Sequence, residues 1–373
     1  MTEPVFAARP GAVVEDGVLQ HLGEPMREQR LLRDGAAVSP LDDRAVIEVA
    51  GPERLTWLDS VTSQAVAGLR PGESTELLVL DPQGRVEHAA GVIDDGASTW
   101  LIVDRADVEA LRTWLARMVF RAQVTVAERD ELVAVGFFEG GPAAETATAV
   151  AATPAGVALV WADPWPVVQT GGHQYAQVPT HPGAEYAWRV ALIEIPALDA
   201  LADVPAAGAL AAEALRVAAW RPRWAAEVDE RSIPHELDWI RSAVHLHKGC
   251  YRGQETVAKV HNLGHPPRRL ALLHLDGSDA VLPARGDAVF AGDREVGAVT
   301  SVVRHFEDGP LALAVLSRRA PEGDLVVRTG ETDVAAAQQV IVPADAGATA
   351  DVPRLTRLSR RPEGQDPRHS SGR

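Results

Sequence analysis

The 373-residue chain has one cysteine, Cys250, and only two lysines, Lys248 and Lys259. A single cysteine excludes an internal disulfide and any all-cysteine metal or cluster site within one chain. Long apolar runs are also missing. The longest, such as 132–138, are strand-sized and far short of the ~18 residues a membrane span needs, so no membrane partner is expected. The first 20 residues carry Glu3, Glu15 and Asp16 and lack the basic start and apolar core of a secretory signal, which points to the cytoplasm. Positive charge is scarce, 36 Lys plus Arg against 52 Asp plus Glu, for a net −16. An acidic surface disfavours sequence-blind binding to phosphate backbones, so no direct contact with nucleic acid is expected. What is present is ordinary for a folded chain, 46% hydrophobic and 24% charged. The length exceeds what one core serves, so two or three domains are expected.

The sequence pattern predicts an α+β organisation. Residues 1–37 are rich in Gly, Pro and charge and read as an extended arm. A strand at 46–49 precedes a helix opening near Gly51-Pro52-Glu53. Strand 77–80 runs into the turn Asp81-Pro82-Gln83-Gly84, and 86–93 leads out of it. A strand at 100–103 is followed by a helix capped by Asp104, with Leu111, Trp114, Leu115 and Met118 as its apolar stripe. Strands at 124–127 and 132–138 follow, giving helices on one face of an antiparallel sheet. Residues 139–156 read as a long loop, then come strands at 157–161 and 187–193 and an alanine-rich helix at 206–220. From Arg269 the texture changes to short strands at 270–275, 288–291, 296–303 and 311–316, parted by Asp-Gly and Arg-Gly turns, as in a small β-barrel. Residues 349–373 lack apolar periodicity and read as a disordered basic tail. Of the tryptophans, Trp57, Trp114, Trp161, Trp188 and Trp239 read as core, whereas Trp224, beside Arg221 and Arg223, is a candidate to stack on a flat ligand ring.

Charge is unevenly spread. Residues 241–269 carry six basic residues against Glu255 alone, together with four of the twelve histidines and the only cysteine. The centre of this stretch is Lys248-Gly249-Cys250-Tyr251-Arg252-Gly253-Gln254-Glu255. Two glycines permit tight turns, and Lys248 and Arg252 set positive charge close to the sulfur, which favours a thiolate able to act as a nucleophile, a redox group or a metal ligand. Histidines 245, 247, 261 and 265 match no regular zinc spacing, and Gly264 with Pro266-Pro267 argues against a helix over 261–265, so no metal site is expected. A basic patch on an acidic background suits a small polyanionic ligand.

The eight-residue string 248–255 resembles the signature of the YgfZ family, folate-binding proteins implicated in iron–sulfur cluster assembly and repair and related to the glycine-cleavage T-protein, the tetrahydrofolate-dependent aminomethyltransferase. The resemblance extends over about 38–345. Asp81-Pro82-Gln83-Gly84-Arg85-Val86 is similar to the family's turn after an early strand, and Ser232-Ile233-Pro234-His235-Glu236 to the segment before the cysteine motif. Gly297-Ala298-Val299-Thr300-Ser301 and Gly309-Pro310-Leu311-Ala312-Leu313-Ala314 resemble strands of its C-terminal barrel. The resemblance implies a ring of domains around a folate cleft: a T-protein-like region of two α+β subdomains at 38–265 and a barrel at 266–348. It implies reduced folate as cofactor, a transient iron–sulfur cluster, and iron–sulfur client or assembly proteins as partners. Cys250 is then the reactive residue with Lys248 beside it, and Arg216 in Ala214-Leu215-Arg216-Val217 pairs with a folate carboxylate. The T-protein places an aspartate near what are here His88 and Ala89, where Glu87 is the one nearby carboxylate. The nearest match to its Tyr-Thr-Gly-Glu strand is 181–186, with Glu185 as the acid. The implied function is an accessory factor rather than a stand-alone enzyme. The alternatives are a folate-dependent aminomethyl or one-carbon transferase and a factor affecting tRNA modification.

Overall fold

The computed structural model describes residues 3–278 and 281–350; most of the basic tail lies outside the described residues. Three antiparallel sheets share one central core. The first has five strands in the order Ser74–Leu80, Val86–Asp94, Ser98–Asp104, Arg44–Ala50, Thr125–Glu128. Alternation along Ser74–Leu80 explains its unbroken apolar run. Leu77 and Val79 pack with Trp57, Leu58, Leu111 and Leu115 under the helices Arg54–Val61 and Val108–Met118, whereas Leu78 and Leu80 face the central core.

The second sheet runs Val160–Ala162, Trp188–Glu194, Leu132–Phe138, Ser39–Pro40. Its outer face, Val135, Phe137, Ala191 and Ile193, is covered by helix Pro142–Ala149 and by the N-terminal segment, while Phe138, Trp188, Val190 and Leu192 turn inward. Gly136 is required here, because a Cβ on it would lie 2.1 Å from the Trp188 ring. The third unit is a closed six-stranded barrel, Arg268–Leu275, Gly309–Ser317, Arg294–His305, Ala288–Ala291, Asp324–Thr329, Thr332–Val340, with its own apolar interior. Its outer residues Leu270, Leu272, Val303, Leu311 and Leu313 join the central core. Helix Ala209–Ala218 packs between helix Pro25–Arg33 and the barrel strand Arg294–His305.

Four local expectations are corrected. The extended arm is instead folded: helices Pro4–Ala7 and Pro25–Arg33 flank a hairpin, and Phe6, Leu19 and Leu32 are buried. The loop expected at 139–156 contains helix Pro142–Ala149, opened by a proline in its first turn. Asp104 ends a strand and binds Arg44 and Arg223 rather than capping the next helix, whose stripe is narrower than expected; Leu111 and Leu115 are buried, but Trp114 is half-buried and Met118 exposed. Helix Gln254–Leu263 includes His261 and stops one residue before Gly264, so only the last part of 261–265 is non-helical. No helix among the described residues is long and apolar enough to cross a membrane.

Candidate functional site

The cysteine loop is built against the Asp81–Gly84 turn. Gly253, at φ 84°, is the N-cap of helix Gln254–Leu263, and a Cβ there would lie 2.6 Å from the Asp81 carbonyl oxygen and 3.1 Å from the Gly84 Cα. Gly84, at φ 77°, would in turn meet the Thr256 side chain at 3.0 Å. Two positive-φ glycines far apart in sequence therefore let two backbones touch. Gly249 has open space around it, so of the two motif glycines only Gly253 is sterically demanded.

Lys248 is not a free cation beside the sulfur. Its side chain is 3% exposed, and Nζ donates to the carbonyls of Asp59, Thr62 (3.0 Å) and Gln64 (2.7 Å), with the Asp59 carboxylate at 3.4 Å. These oxygens lie at and just past the C-terminal end of helix Arg54–Val61, where unpaired carbonyls and the helix dipole both favour a cation. Burial pulls the Lys248 pKa down, against Asp59. Nζ also lies 5.5 Å from the centre of the Tyr251 ring, which is itself buried. Arg252 binds Glu87 (2.6 Å), and Gln254 Nε2 closes the loop onto the Lys248 carbonyl at 3.2 Å. Both charges expected to favour a Cys250 thiolate are thus engaged elsewhere. Cys250 is exposed and free, and Glu255, five residues later, is exposed as well. Lys248→Met is expected to cost about 3–5 kcal/mol in denaturant unfolding, as when one partner of a buried charged cluster is removed. Cys250→Ala should stay within about 0.5 kcal/mol of wild type.

At the centre of the ring is a cavity of about 130 Å³ walled by Trp161, Trp188, Trp239, Tyr186 and Trp224. Two ionic networks surround it. In the first, Arg221 binds Asp163 (3.0 Å) and Glu76 Oε2 (2.6 Å), and Trp239 Nε1 donates to the same Glu76 oxygen at 3.1 Å. Glu76 Oε1 and Arg221 Nη1, both buried, have no partner among the described residues. In the second, all five N–H donors of Arg216 are engaged, by Glu213, Glu227, Ser301 and the Arg221 carbonyl. Burial by itself would lower the Arg216 pKa; Glu213 and Glu227 outweigh it and hold the group above its ordinary value. Arg216 therefore lines the cavity without a donor to offer a ligand, which corrects its expected pairing with a folate carboxylate.

The remaining candidates separate. Glu87 lines an outer groove of about 1000 Å³ instead of the central cavity, and its carboxylate is held by Arg252. Glu185 is exposed in the 3₁₀ turn Pro182–Glu185, and it is the neighbouring Tyr186 that reaches the cavity. Trp224 borders both cavity and groove, with Nε1 fixed on the Glu87 carbonyl at 2.9 Å. His88, close to the place the resemblance gives a carboxylate, lines the groove and holds Asp107 at 2.7 Å. Glu76, Asp163 and Arg221 were not singled out from the sequence; the signal available was the run of arginines next to Trp220 and Trp224. Among the histidines, His261 Nδ1 meets the Tyr175 hydroxyl at 2.8 Å and packs edge-on against His173. Burial, with His173 and His247 nearby, brings the His261 pKa down to about 4. No group of three or more His, Cys, Asp or Glu among the described residues is placed to hold a metal ion.

The architecture defines a class, a mixed α/β ring closed by a C-terminal barrel. No family model matches the chain. No curated protein matches it either. Among solved structures it is similar to the glycine cleavage system aminomethyltransferase T from Bartonella henselae, with a TM-score of 0.67 and 18% identity over 91% of this chain and 95% of that one. The fold is therefore T-protein-like.

Proposed function

We propose that this protein is a YgfZ-family, tetrahydrofolate-binding accessory factor for assembly or repair of iron–sulfur clusters, acting in the cytoplasm through Cys250. The observation that carries the reading is how the motif is built. Lys248 is sunk in a carbonyl cradle, Tyr251 is buried and Gly253 is locked on the Asp81–Gly84 turn, and between them one sulfur is left exposed. A chain with a single cysteine that fixes the residues on both sides of it presents that thiol in a defined place.

The central cavity fits the head of a reduced folate. Its walls are aromatic, and Glu76 Oε1 is an unmatched acceptor beside Arg221 Nη1, an unmatched donor. A pterin's amino and ring N–H groups suit the first and its carbonyl the second. At about 130 Å³ the enclosed space is below the ~300–1,000 Å³ of a drug-sized site, so it suits the bicyclic head, with the remainder directed outward. Tetrahydrofolate, when bound, supplies ring nitrogens able to carry a one-carbon unit. With one cysteine per chain, a cluster would be held between two chains or completed by non-protein thiols and passed on to a client protein. The groups 38–265 and 266–348 would form the folate-binding region and the barrel that closes it.

The test is complementation of a deletion strain, reading the activity of the iron–sulfur enzyme aconitase. Wild type should restore it, and Cys250→Ala, expressed to the same level, should not. Full restoration by Cys250→Ala would overturn the role given to the thiol.

A further inference from the structure

Arg241 is 1% exposed and forms no ion pair among the described residues. It belongs to the helical turn Ile240–Ala243 and does not line the central cavity. Its Nη1 lies 2.6 Å from the His181 ring nitrogens, its Nε has no partner among the described residues, and its Cζ is 4.6 Å from the centre of the Trp165 ring. The same buried indole carries Arg221, with Cζ at 5.2 Å. Two guanidinium groups on one buried ring repel each other, so the arrangement needs two negative charges nearby.

Those charges are Glu76 and Asp163. Both pair with Arg221, and one cation between two buried carboxylates leaves a negative excess that Arg241 cancels. The charges acting on Arg241 are those of Asp238, Arg221, Glu76 and Asp163. Two other titratable groups against the cluster stay neutral. Burial and Arg241 bring the His181 pKa down to about 3, and burial with Asp163 pushes Tyr186 up. The Arg216 and Glu213 charges, which also reach Tyr186, pair with each other.

Burial pushes the Asp163 pKa up, Arg221 opposes the rise and Glu76 adds to it. A proton taken by the pair is directed to one atom. Asp163 Oδ1 accepts the Trp165 N–H and Oδ2 the Arg221 Nε–H, both at 3.0 Å, and Glu76 Oε2 accepts from Arg221 and Trp239. Glu76 Oε1 is the oxygen of the four that faces no donor among the described residues.

We propose, on the folate reading of the cavity, that Arg241 is a positioning residue for it: its charge keeps Glu76 Oε1 free of a proton, so that this oxygen accepts an N–H group of the ligand head. Proton and ligand then compete for one atom, and Arg241 sets the pH at which the proton wins.

The test is tetrahydrofolate binding to the full chain from pH 5 to 9 under anaerobic conditions, for wild type, Arg241→Met, Arg241→Gln and Arg241→Lys. Both neutral variants should lose binding at a midpoint about one pH unit higher than wild type, which is about tenfold weaker binding on the acid limb and equal binding on the alkaline limb. Arg241→Lys should keep the wild-type midpoint. Asp238 also titrates close to Arg241, so the comparison is repeated in Asp238→Asn, where the shift should persist. A loss of affinity equal at every pH, an unshifted midpoint, or a shift that vanishes in Asp238→Asn would overturn the proposal. If wild type binds no tetrahydrofolate, the cavity reading fails, and the role of Arg241 is read from ligand-free protein at pH 6. There the infrared difference between Arg241→Met and wild type should show a protonated carboxyl that Glu76→Gln removes, and its absence would overturn the proposal.

Discussion

Arg216→Ala should lower the unfolding free energy by about 3–5 kcal/mol, because it strands buried Glu227 without its cation and leaves half-buried Glu213 with Arg223 alone. The arginine also ties helix Ala209–Ala218 to the barrel through Ser301 at 2.8 Å, and Glu227 in turn accepts from Thr300 (3.1 Å) and Ser301. Loss should therefore appear first as faster amide exchange in strand Arg294–His305, with the first sheet protected as before. Lysine should not rescue the change, since one ammonium cannot replace five N–H groups directed at four partners. A loss below about 1 kcal/mol would show that the network is replaceable by solvent. Such a result would also reopen Arg216 as a ligand group.

Asp238→Asn should abolish a pH dependence of stability. Asp238 is fully buried in the left-handed region at φ 54°, where Asn is also tolerated, and its Oδ1 accepts the Tyr175 N–H at 2.6 Å while Oδ2 has no partner among the described residues. Burial pushes its pKa up to about 7, against the Tyr175 hydrogen bond and Arg241. An unfolded aspartate ionises near pH 4, so between about 4 and 7 the native state holds a proton that the unfolded state has released. Stability should fall as pH rises through that window, by about 4 kcal/mol in all for a three-unit shift. Urea unfolding at intervals from pH 4.5 to 8 should show wild type losing stability relative to Asp238→Asn, with the gap greatest at the alkaline end. Parallel profiles would mean the carboxyl is ionised in the fold throughout.

The elements most legible in the sequence were those with a strong local period or a fixed motif. Strand Leu132–Phe138 is apolar because both of its faces are covered, and the Asp81–Gly84 turn has the residues its geometry needs. Barrel strands Asp324–Thr329 and Thr332–Val340 were not foreseen, the second because Ala and Gln dominate it and carry little strand signal. The charged networks were the least legible part. Arg216, Glu227 and Ser301, or Glu76, Asp163 and Arg221, meet only through the tertiary fold, and nothing local distinguishes them from surface charges. Lys248 left one trace, as one of two lysines in a chain that otherwise uses arginine. An ammonium is compact enough to converge on three carbonyls, whereas a planar guanidinium is not. The cysteine motif and the Asp81–Gly84 turn were each visible, but their contact was not.

The most direct measurement is equilibrium binding of tetrahydrofolate to the full chain under anaerobic conditions, compared with Glu76→Gln and Cys250→Ala. Wild type should bind. Glu76→Gln, with an unchanged circular dichroism spectrum, should bind about tenfold or more weakly, the size of one charged hydrogen bond. Cys250→Ala should bind as wild type does. Absence of binding by the wild-type chain at millimolar folate, or equal affinity in Glu76→Gln, would contradict the assignment of the central cavity.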